Sequence, residues 1–518
     1  MTRRETSVSR RHCCVVILAT ASFLTLLFAF AEVRLSRLPF QRDYGEGHVL
    51  WLTQQIFDTH KVYRPLDSLP WIVCPYTPGY LVAARLTGAL VGDRVGDLLA
   101  AGRGLSLVST AGTGMVIGLT ILFATPVRFP LLWRLAAAAF GGAAALAADS
   151  VFRWAPLMRV DMLALFLMYS GLGVYIALGK RERWQYAAGV LFLLALFTKQ
   201  TMVSGPLACL IVGLLTCPRK TLRVYACMAV AGLAGVFWLN AVTHGGFLTH
   251  IVQYNRNPFS WRLASGHVYQ HIHDSLAVVV MGAAAFLGVL NPVAIRRSGW
   301  RRFLQGRCGR TYDRAVVIAA LNGVLAGMLI FSIGKVGSNI NYYLDWDISI
   351  GLLCGLLVFR LLATWETRPW RGKRVYVILV ILLLSAALVP SPALAGALLP
   401  SAGLKANAEE DAEVIRILRE SPGPALSENL LLLLQAGKAV EVEPATLSYI
   451  TNTGQWNERR YVELLDRGYF RMLVACDLDP PDFYTPAVKA AIDRDFVIQQ
   501  KVGRYTIYRP VPAAEKSK

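Results

Sequence analysis

The sequence predicts a mainly α-helical, polytopic membrane protein: a bundle of about eleven transmembrane helices followed by a small C-terminal α/β domain. Three observations carry this prediction. Hydrophobic residues make up 55% of the 518 residues and charged residues 17%, with a mean hydropathy of +0.45, which is too apolar for a soluble chain of this length. Apolar runs of membrane-crossing length recur between residues 13 and 394. From residue 395 onward the pattern changes to short helical and strand-like pieces in alternation.

The first run, residues 13–32, reads CCVVILATASFLTLLFAFAE, and the arginines of the preceding MTRRETSVSRRH hold that end in the cytoplasm. With no small-residue cleavage site of the A-x-A kind, it reads as an uncleaved anchor. Further spans are expected at 97–124, 131–148, 159–179, 185–198, 201–217, 222–240, 275–294, 315–332, 343–363 and 374–394. Short loops placed on the inner side are enriched in Lys and Arg, most of all between Arg296 and Arg314 and between residues 368 and 374, as the positive-inside rule requires. An odd number of spans puts the C-terminus outside. Within the outer segment 33–96, HVLWLTQQIFDTH and PGYLVAARLTGALVG read as helices lying in the interface, with Trp51, Trp71, Tyr76 and Tyr80 beside them. The tail reads AEVIRILRE (helix), PALSEN (strand and turn), LLLLLQAG (helix), KAVEVEP (strand), RRYVELLDRG (helix), FRMLVACD (strand), PAVKAAIDRD (helix) and RYTIYRP (strand). The expected division is a membrane domain over 1–394 and an extracytoplasmic α/β domain over 395–518.

The net charge of +20 invites a nucleic-acid partner, but the basic residues sit in short clusters between apolar runs, which argues against one. The nine cysteines have neither zinc nor disulfide-framework spacing; a bridge is open only to Cys74 and Cys476, which fall in outer segments. No glycine run forms a phosphate loop, and no dinucleotide motif follows a strand, so a nucleotide-sugar donor is not expected.

Charged and hydrogen-bonding residues gather instead on the outer loops. The first loop brings Asp43 and Glu46, the second Arg153, Arg159 and Asp161, and the third Lys199 and Gln200. The fourth, 241–274, carries His244, His250, His267, His271 and His273 with Tyr254, Asn255 and Arg256; the fifth carries Lys335, Asn339, Asn341, Tyr342, Asp345 and Asp347. Acids at a membrane surface are costly and point to function, and Lys199 is a lone cation between two apolar runs. The set suits a substrate with an anionic head and a greasy tail. The plainer readings are a solvated loop acid, a snorkelling lysine and a helix cap with a topogenic charge at Arg159–Asp161. His267 and His271 have i, i+4 spacing, but the VYQ between them sits in no convincing helix, so a polar loop outweighs metal ligation there.

In their order these motifs resemble those of the polytopic GT-C glycosyltransferases, related to the protein O-mannosyltransferases and aminoarabinose transferases that use polyprenyl-phosphate sugars. The residues that carry the resemblance begin with Asp43-Tyr44-Gly45-Glu46-Gly47-His48, then Tyr63-Arg64-Pro65 and Tyr76-Thr77-Pro78-Gly79-Tyr80. They continue through Gly102-Arg103, Arg159-Val160-Asp161-Met162, Thr198-Lys199-Gln200-Thr201 and Asn341-Tyr342-Tyr343 to the outer α/β tail. Two departures stand out. The family's first loop often has adjacent Asp-Glu, where here Gly45 precedes Glu46, and its second motif is often R-P-D, where here Val160 replaces proline. The resemblance implies a GT-C-like bundle in a bacterial inner membrane. It implies transfer, with inversion, of a hexosyl or pentosyl group from a polyprenyl-phosphate donor to a glycan, lipid or protein acceptor outside the cytoplasm. Asp43 or Glu46 would be the general base, with Asp43 favoured and Glu46 positioning acceptor or metal. Lys199, Arg159 and Gln200 would hold the donor phosphate. Asp161 would orient Arg159 or hold a divalent cation (Mg or Mn), and Asn341 and Tyr342 would pack or touch the donor head. The implied partners are donor, acceptor and membrane lipids.

Two rivals stand beside this reading. A transporter or flippase of lipid-linked saccharides would carry charges on both faces of a central path and preferably two related halves. A membrane scaffold whose tail binds a partner would tolerate loss of both Asp43 and Glu46. Reporter fusions near residues 46 and 450 should both report the outer side; opposite sides would overturn the topology.

Overall fold

A computed structural model of the protein describes residues 3–92, 94–290, 311–364, 392–398, 402–476, 478 and 483–512. Most of the expected span 374–394 and the basic stretches 296–310 and 368–374 lie outside the described residues. The membrane part is built from α1 (Arg3–Ser36), α2 (Gly45–Gln55), α3 (Gly79–Val91), α4 (Val95–Ala124), α5 (Leu131–Leu146), α6 (Asp149–Trp154) and α7 (Asp161–Leu178). It continues with α8 (Glu182–Thr198), α9 (Ser204–Thr216), α10 (Pro218–Val242), α11 (Trp261–Asp274), α12 (Leu276–Leu290), α13 (Thr311–Ile330) and α14 (Leu344–Ala363).

The first ten expected spans each fall on one of these helices, yet length and apolarity single out fewer. Six helices among the described residues are long and apolar enough to cross a bilayer alone, or seven if the pair α11–α12, bent by 88°, counts as one; α3, α5 and α9 are apolar but short. Outward-facing apolar side chains such as Leu26, Val230 and Phe237 are more than half exposed, as lipid-facing residues of a multi-pass membrane protein are. The helix containing α14 is central, with 83% of its most apolar window buried, whereas α10 is peripheral, with 17%.

Small residues let the central helices meet. In the membrane there is little hydrophobic drive between helices, so close backbone approach and van der Waals contact must hold them. The run Ala136–Ala145 of α5 supplies that surface against α14. A Cβ built on Gly351 would lie 2.6 Å from the Ala145 nitrogen and Cβ, and one on Gly355 would lie 2.8 Å from the Ala137 carbonyl. On the other side of α5, a Cβ on Gly142 would lie 2.7 Å from the Gly114 carbonyl of α4.

The tail forms a four-stranded sheet in the order β1 (Ala425–Ser427), β2 (Met472–Ala475), β4 (Tyr505–Pro510), β3 (Phe496–Val502), with β1 parallel to β2 and the other pairs antiparallel. Two strand expectations are corrected. KAVEVEP joins no sheet; its Val442 pairs instead with Trp71 of the first loop. The missed strand β3 is an edge whose residues after Phe496 are mostly exposed, so it lacks the alternation that marks a half-buried strand. First loop and tail share one core: Val49, Leu50, Leu52 and Tyr80 pack with Leu430–Leu433, Met472 and Val474. Gly47 sits where a Cβ would lie 2.6 Å from the Leu431 nitrogen. The first loop and the sheet therefore occupy the same end of the bundle.

Gly351→Leu should destabilise the purified protein by about 1–3 kcal/mol through overpacking, read as a lowered melting temperature in detergent. Gly104→Ala, whose Cβ would meet nothing within 4 Å, should not lower it.

Candidate active site

The site is built on a buried ion pair. Arg103, one-third of the way along α4, is 1% exposed, and Glu46, in the first turn of α2, is fully buried. The guanidinium donates from Nε to Glu46 Oε1 and from Nη2 to Oε2, both at 2.8 Å. Its remaining N–H groups donate to the carbonyls of Ser36, Leu38 and Phe40. Glu46 also accepts from the Met158 and Arg42 backbone N–H groups, each at 2.9 Å. Burial would push this carboxyl up, but Arg103 and the two backbone donors outweigh it and hold Glu46 below its ordinary value. Every donor of the planar fork is used, so the chain from Ser36 to Glu46 is held along its whole length.

That loop presents Asp43. Its side chain is 8% exposed; Oδ1 accepts from Gly45 N–H at 3.0 Å and lies 3.1 Å from Arg159 Nη1, while Oδ2 faces Asn339 Nδ2 at 3.4 Å. Gly45 is dictated by this contact, since a Cβ there would lie 1.4 Å from Arg159 Nη1. Burial raises the Asp43 carboxyl above the ordinary range, and Arg159 only partly opposes the rise.

The opposite charges come from two helix ends that face each other. Asp161 opens α7 and Lys199 follows the last residue of α8, so each stands where the helix dipole favours its sign. The Lys199 ammonium donates to Asp161 Oδ1, which also accepts from Asn341 Nδ2 at 3.0 Å; Oδ2 accepts from the Trp154 indole N–H at 2.8 Å. Lys199 Nζ lies 5.6 Å from the centre of the Tyr342 ring. The α8 end is positioned by the first loop: Thr77 Oγ1 donates to the Leu196 carbonyl, Gln200 Nε2 donates to the Pro75 carbonyl at 3.0 Å, and a Cβ on Gly79 would collide with Phe197 and Thr198. Arg159 lies against two rings, 5.2 Å from Trp154 and 5.8 Å from Tyr76.

The donor set does not fit a divalent cation. Both oxygens of Asp161 are taken, one of them by the Lys199 ammonium, and both oxygens of Glu46 are taken by four N–H donors. Among the described residues, no three His, Cys, Asp or Glu side chains gather as a metal set. The histidines serve elsewhere. His250 accepts from the Cys74 N–H and bonds the Arg64 carbonyl at 2.8 Å; burial pulls it down to about 4, so it is a neutral brace of the first loop. Contrary to expectation, residues 261–274 are helical, so His267 and His271 do share a face. There His271 stacks on Tyr343 with ring centres 3.7 Å apart and meets Asp347 at 3.3 Å. Asp345 bonds Tyr169 and Ser204 inside the bundle. Arg153 pairs with Asp149. Cys74 and Cys476 are both free.

Solved structures share this architecture. Over 95% of its length the chain matches ArnT from Cupriavidus metallidurans in the apo state, covering 98% of that chain with a TM-score of 0.59 and 15% identity. The chain shares the fold of this ArnT. The same ArnT bound to undecaprenyl phosphate matches over 96% of this chain and 98% of that one, with a TM-score of 0.57 and 15% identity. An Archaeoglobus fulgidus oligosaccharyltransferase, tethered to an acceptor peptide containing the NVT sequon, matches over 92% of this chain and 72% of that one, with a TM-score of 0.50 and 10% identity. No protein-family model matches the sequence, and no curated protein does.

On this fold, Asp43, Arg159, Asp161, Lys199, Asn341 and Tyr342 form one continuous cluster, with Gln200 at its edge. Glu46 is the exception, sealed behind Arg103 with no edge open to a substrate. The sequence reading passed over Trp154, Tyr76 and Gly45 as contributors; an aromatic five residues before an arginine in RWAPLMR was the available signal for the first. Glu46→Gln should cost about 3–5 kcal/mol by leaving Arg103 buried without its charge partner, measured as a fall in melting temperature or folded yield.

Proposed function

We propose that the chain is a membrane glycosyltransferase that moves a sugar from a polyprenyl-phosphate carrier to an acceptor hydroxyl or amine outside the cytoplasm. The observation that carries this reading is the cluster itself: a part-open carboxylate edge on Asp43 beside two largely buried cations, Arg159 and Lys199, at the ends of membrane helices. The fold shared with ArnT, one of whose crystal structures holds undecaprenyl phosphate, supports the choice of donor class. The enrichment of Lys and Arg in the short loops that the sequence places on the inner side supports an extracytoplasmic site and a cytoplasmic N-terminus in a bacterial inner membrane.

The chemistry follows from the residues. Asp43 takes the proton of the acceptor as its oxygen or nitrogen attacks the anomeric carbon. The bond from that carbon to the phosphate oxygen breaks on the opposite face, which inverts the centre. The phosphodiester of the donor carries one negative charge and the departing polyprenyl phosphate gains a second. Arg159 and Lys199 are preorganised to meet that gain, held by Asp43, Asp161 and the flanking rings in a dry setting where charge counts for more. Asn341 and Tyr342 flank Lys199 and would contact the donor head. Glu46 acts in this scheme only through the backbone it holds, so the base is assigned to Asp43. The sugar is a hexosyl or pentosyl group, and the acceptor a glycan, lipid or protein.

The test is transfer from a panel of radiolabelled polyprenyl-phosphate sugars by the purified protein. Asp43→Asn should lower kcat by about 10²–10⁴-fold, the size expected for a missing base, with folding intact; unchanged transfer would remove the assignment. Asp43 must be ionised to accept a proton, so kcat/KM should fall as pH drops through its raised pKa. The acid limb should therefore lie above the ordinary carboxylate range.

A further inference from the structure

Trp154 contacts both Arg159 and the Asp161 carboxylate that grips Lys199, and the scheme above uses its ring but gives its N–H no task. It ends α6 and is buried. Its indole N–H donates 2.8 Å to Asp161 Oδ2, and its ring lies 5.2 Å from the Arg159 guanidinium. We propose that Trp154 is a positioning residue that sets how strongly Asp161 competes with the donor phosphate for Lys199 and Arg159. The proposal rests on the glycosyl-transfer reading.

The indole nitrogen is a donor only, so at Asp161 it neutralises part of the negative charge without adding any. It occupies Oδ2 and leaves Oδ1 to Lys199 and Asn341. The second cation is held by geometry more than by hydrogen bonds: Arg159 Nε is buried without a hydrogen-bond partner among the described residues. The guanidinium is kept in place by the Asp43 pair and by the faces of Trp154 and Tyr76. One side chain thus restrains the acid that grips Lys199 and supports the plane of Arg159. Without the N–H, Asp161 Oδ2 is uncovered and draws both cations away from the phosphate. The leaving phosphate gains its second charge only as the bond breaks, so the loss should fall on kcat and on affinity for free polyprenyl phosphate more than on KM for the donor.

Trp154→Phe keeps a ring under Arg159 and removes the N–H; Trp154→Leu removes both. With undecaprenyl phosphate as binding probe and the radiolabelled donor panel for turnover, Trp154→Phe should fold with only a small fall in melting temperature, from the smaller ring and the lost hydrogen bond. Its kcat and its undecaprenyl-phosphate affinity should fall roughly 10- to 100-fold, the size of one hydrogen bond to a charged group, with KM nearly unchanged. Trp154→Leu should lose more. Parent-like kcat and affinity in Trp154→Phe, or losses in both variants that only track a fall in melting temperature, would make Trp154 a packing residue and overturn the proposal. A parent protein that neither binds undecaprenyl phosphate nor transfers from any donor would overturn the glycosyl-transfer reading beneath it.

Discussion

The buried pair between Arg103 and Glu46 is the constraint on which the candidate site depends. A fully buried arginine needs every N–H satisfied, and here the partners are one carboxylate and the carbonyls of Ser36, Leu38 and Phe40. The result is a rigid loop between the first helix and α2. Because Glu46 is consumed by that task, Asp43, three residues earlier, is the carboxylate left facing Arg159. Two acids that look alike in the sequence are separated by the environment each folds into: one held ionised by four donors, the other desolvated and raised.

The cations follow a second constraint, set by helix ends. α7 begins and α8 ends at the same face, so Asp161 and Lys199 meet across a hairpin with both dipoles favourable. Gly45 and Gly79 permit the close approaches that complete the cluster: the first leaves room for the Arg159 guanidinium, the second for the end of α8. The lone proline-to-valine departure at Val160 leaves this geometry standing, with Arg159 and Asp161 both turned into the cluster.

The first loop and the tail together form the roof of this face. Trp71 pairs with Val442, the indole of Trp456 donates to the Leu66 carbonyl, and Tyr44 packs on Phe483. A loop that shares its core with a distant sheet cannot be read as a domain boundary, and it explains why KAVEVEP looks like a sheet strand yet pairs with residue 71. The polar residues of the fifth loop divide in the same way, with Asn341 and Tyr342 reaching the cluster while Asp345 and Asp347 turn into the bundle.

By itself the sequence determined the class and singled out residues that the fold brings together in the candidate site. Apolar runs and loop charge specify helices in a bilayer whatever their partners, because each backbone must satisfy its own hydrogen bonds there. Asp43, Arg159, Asp161 and Lys199 were legible because charges at membrane helix ends are rare and costly. What only the tertiary structure decided were the roles: that Glu46 braces and Asp43 is presented, that Asp161 is filled by Lys199 and the Trp154 indole, that His250 braces a loop, and that residues 261–274 are helical. Most of these depend on a partner dozens to hundreds of residues away; the Trp154–Asp161 bond and the helix over 261–274 are local. Protonation, desolvation and hydrogen-bond saturation are properties of the assembled surroundings, and no local pattern in the chain encodes them.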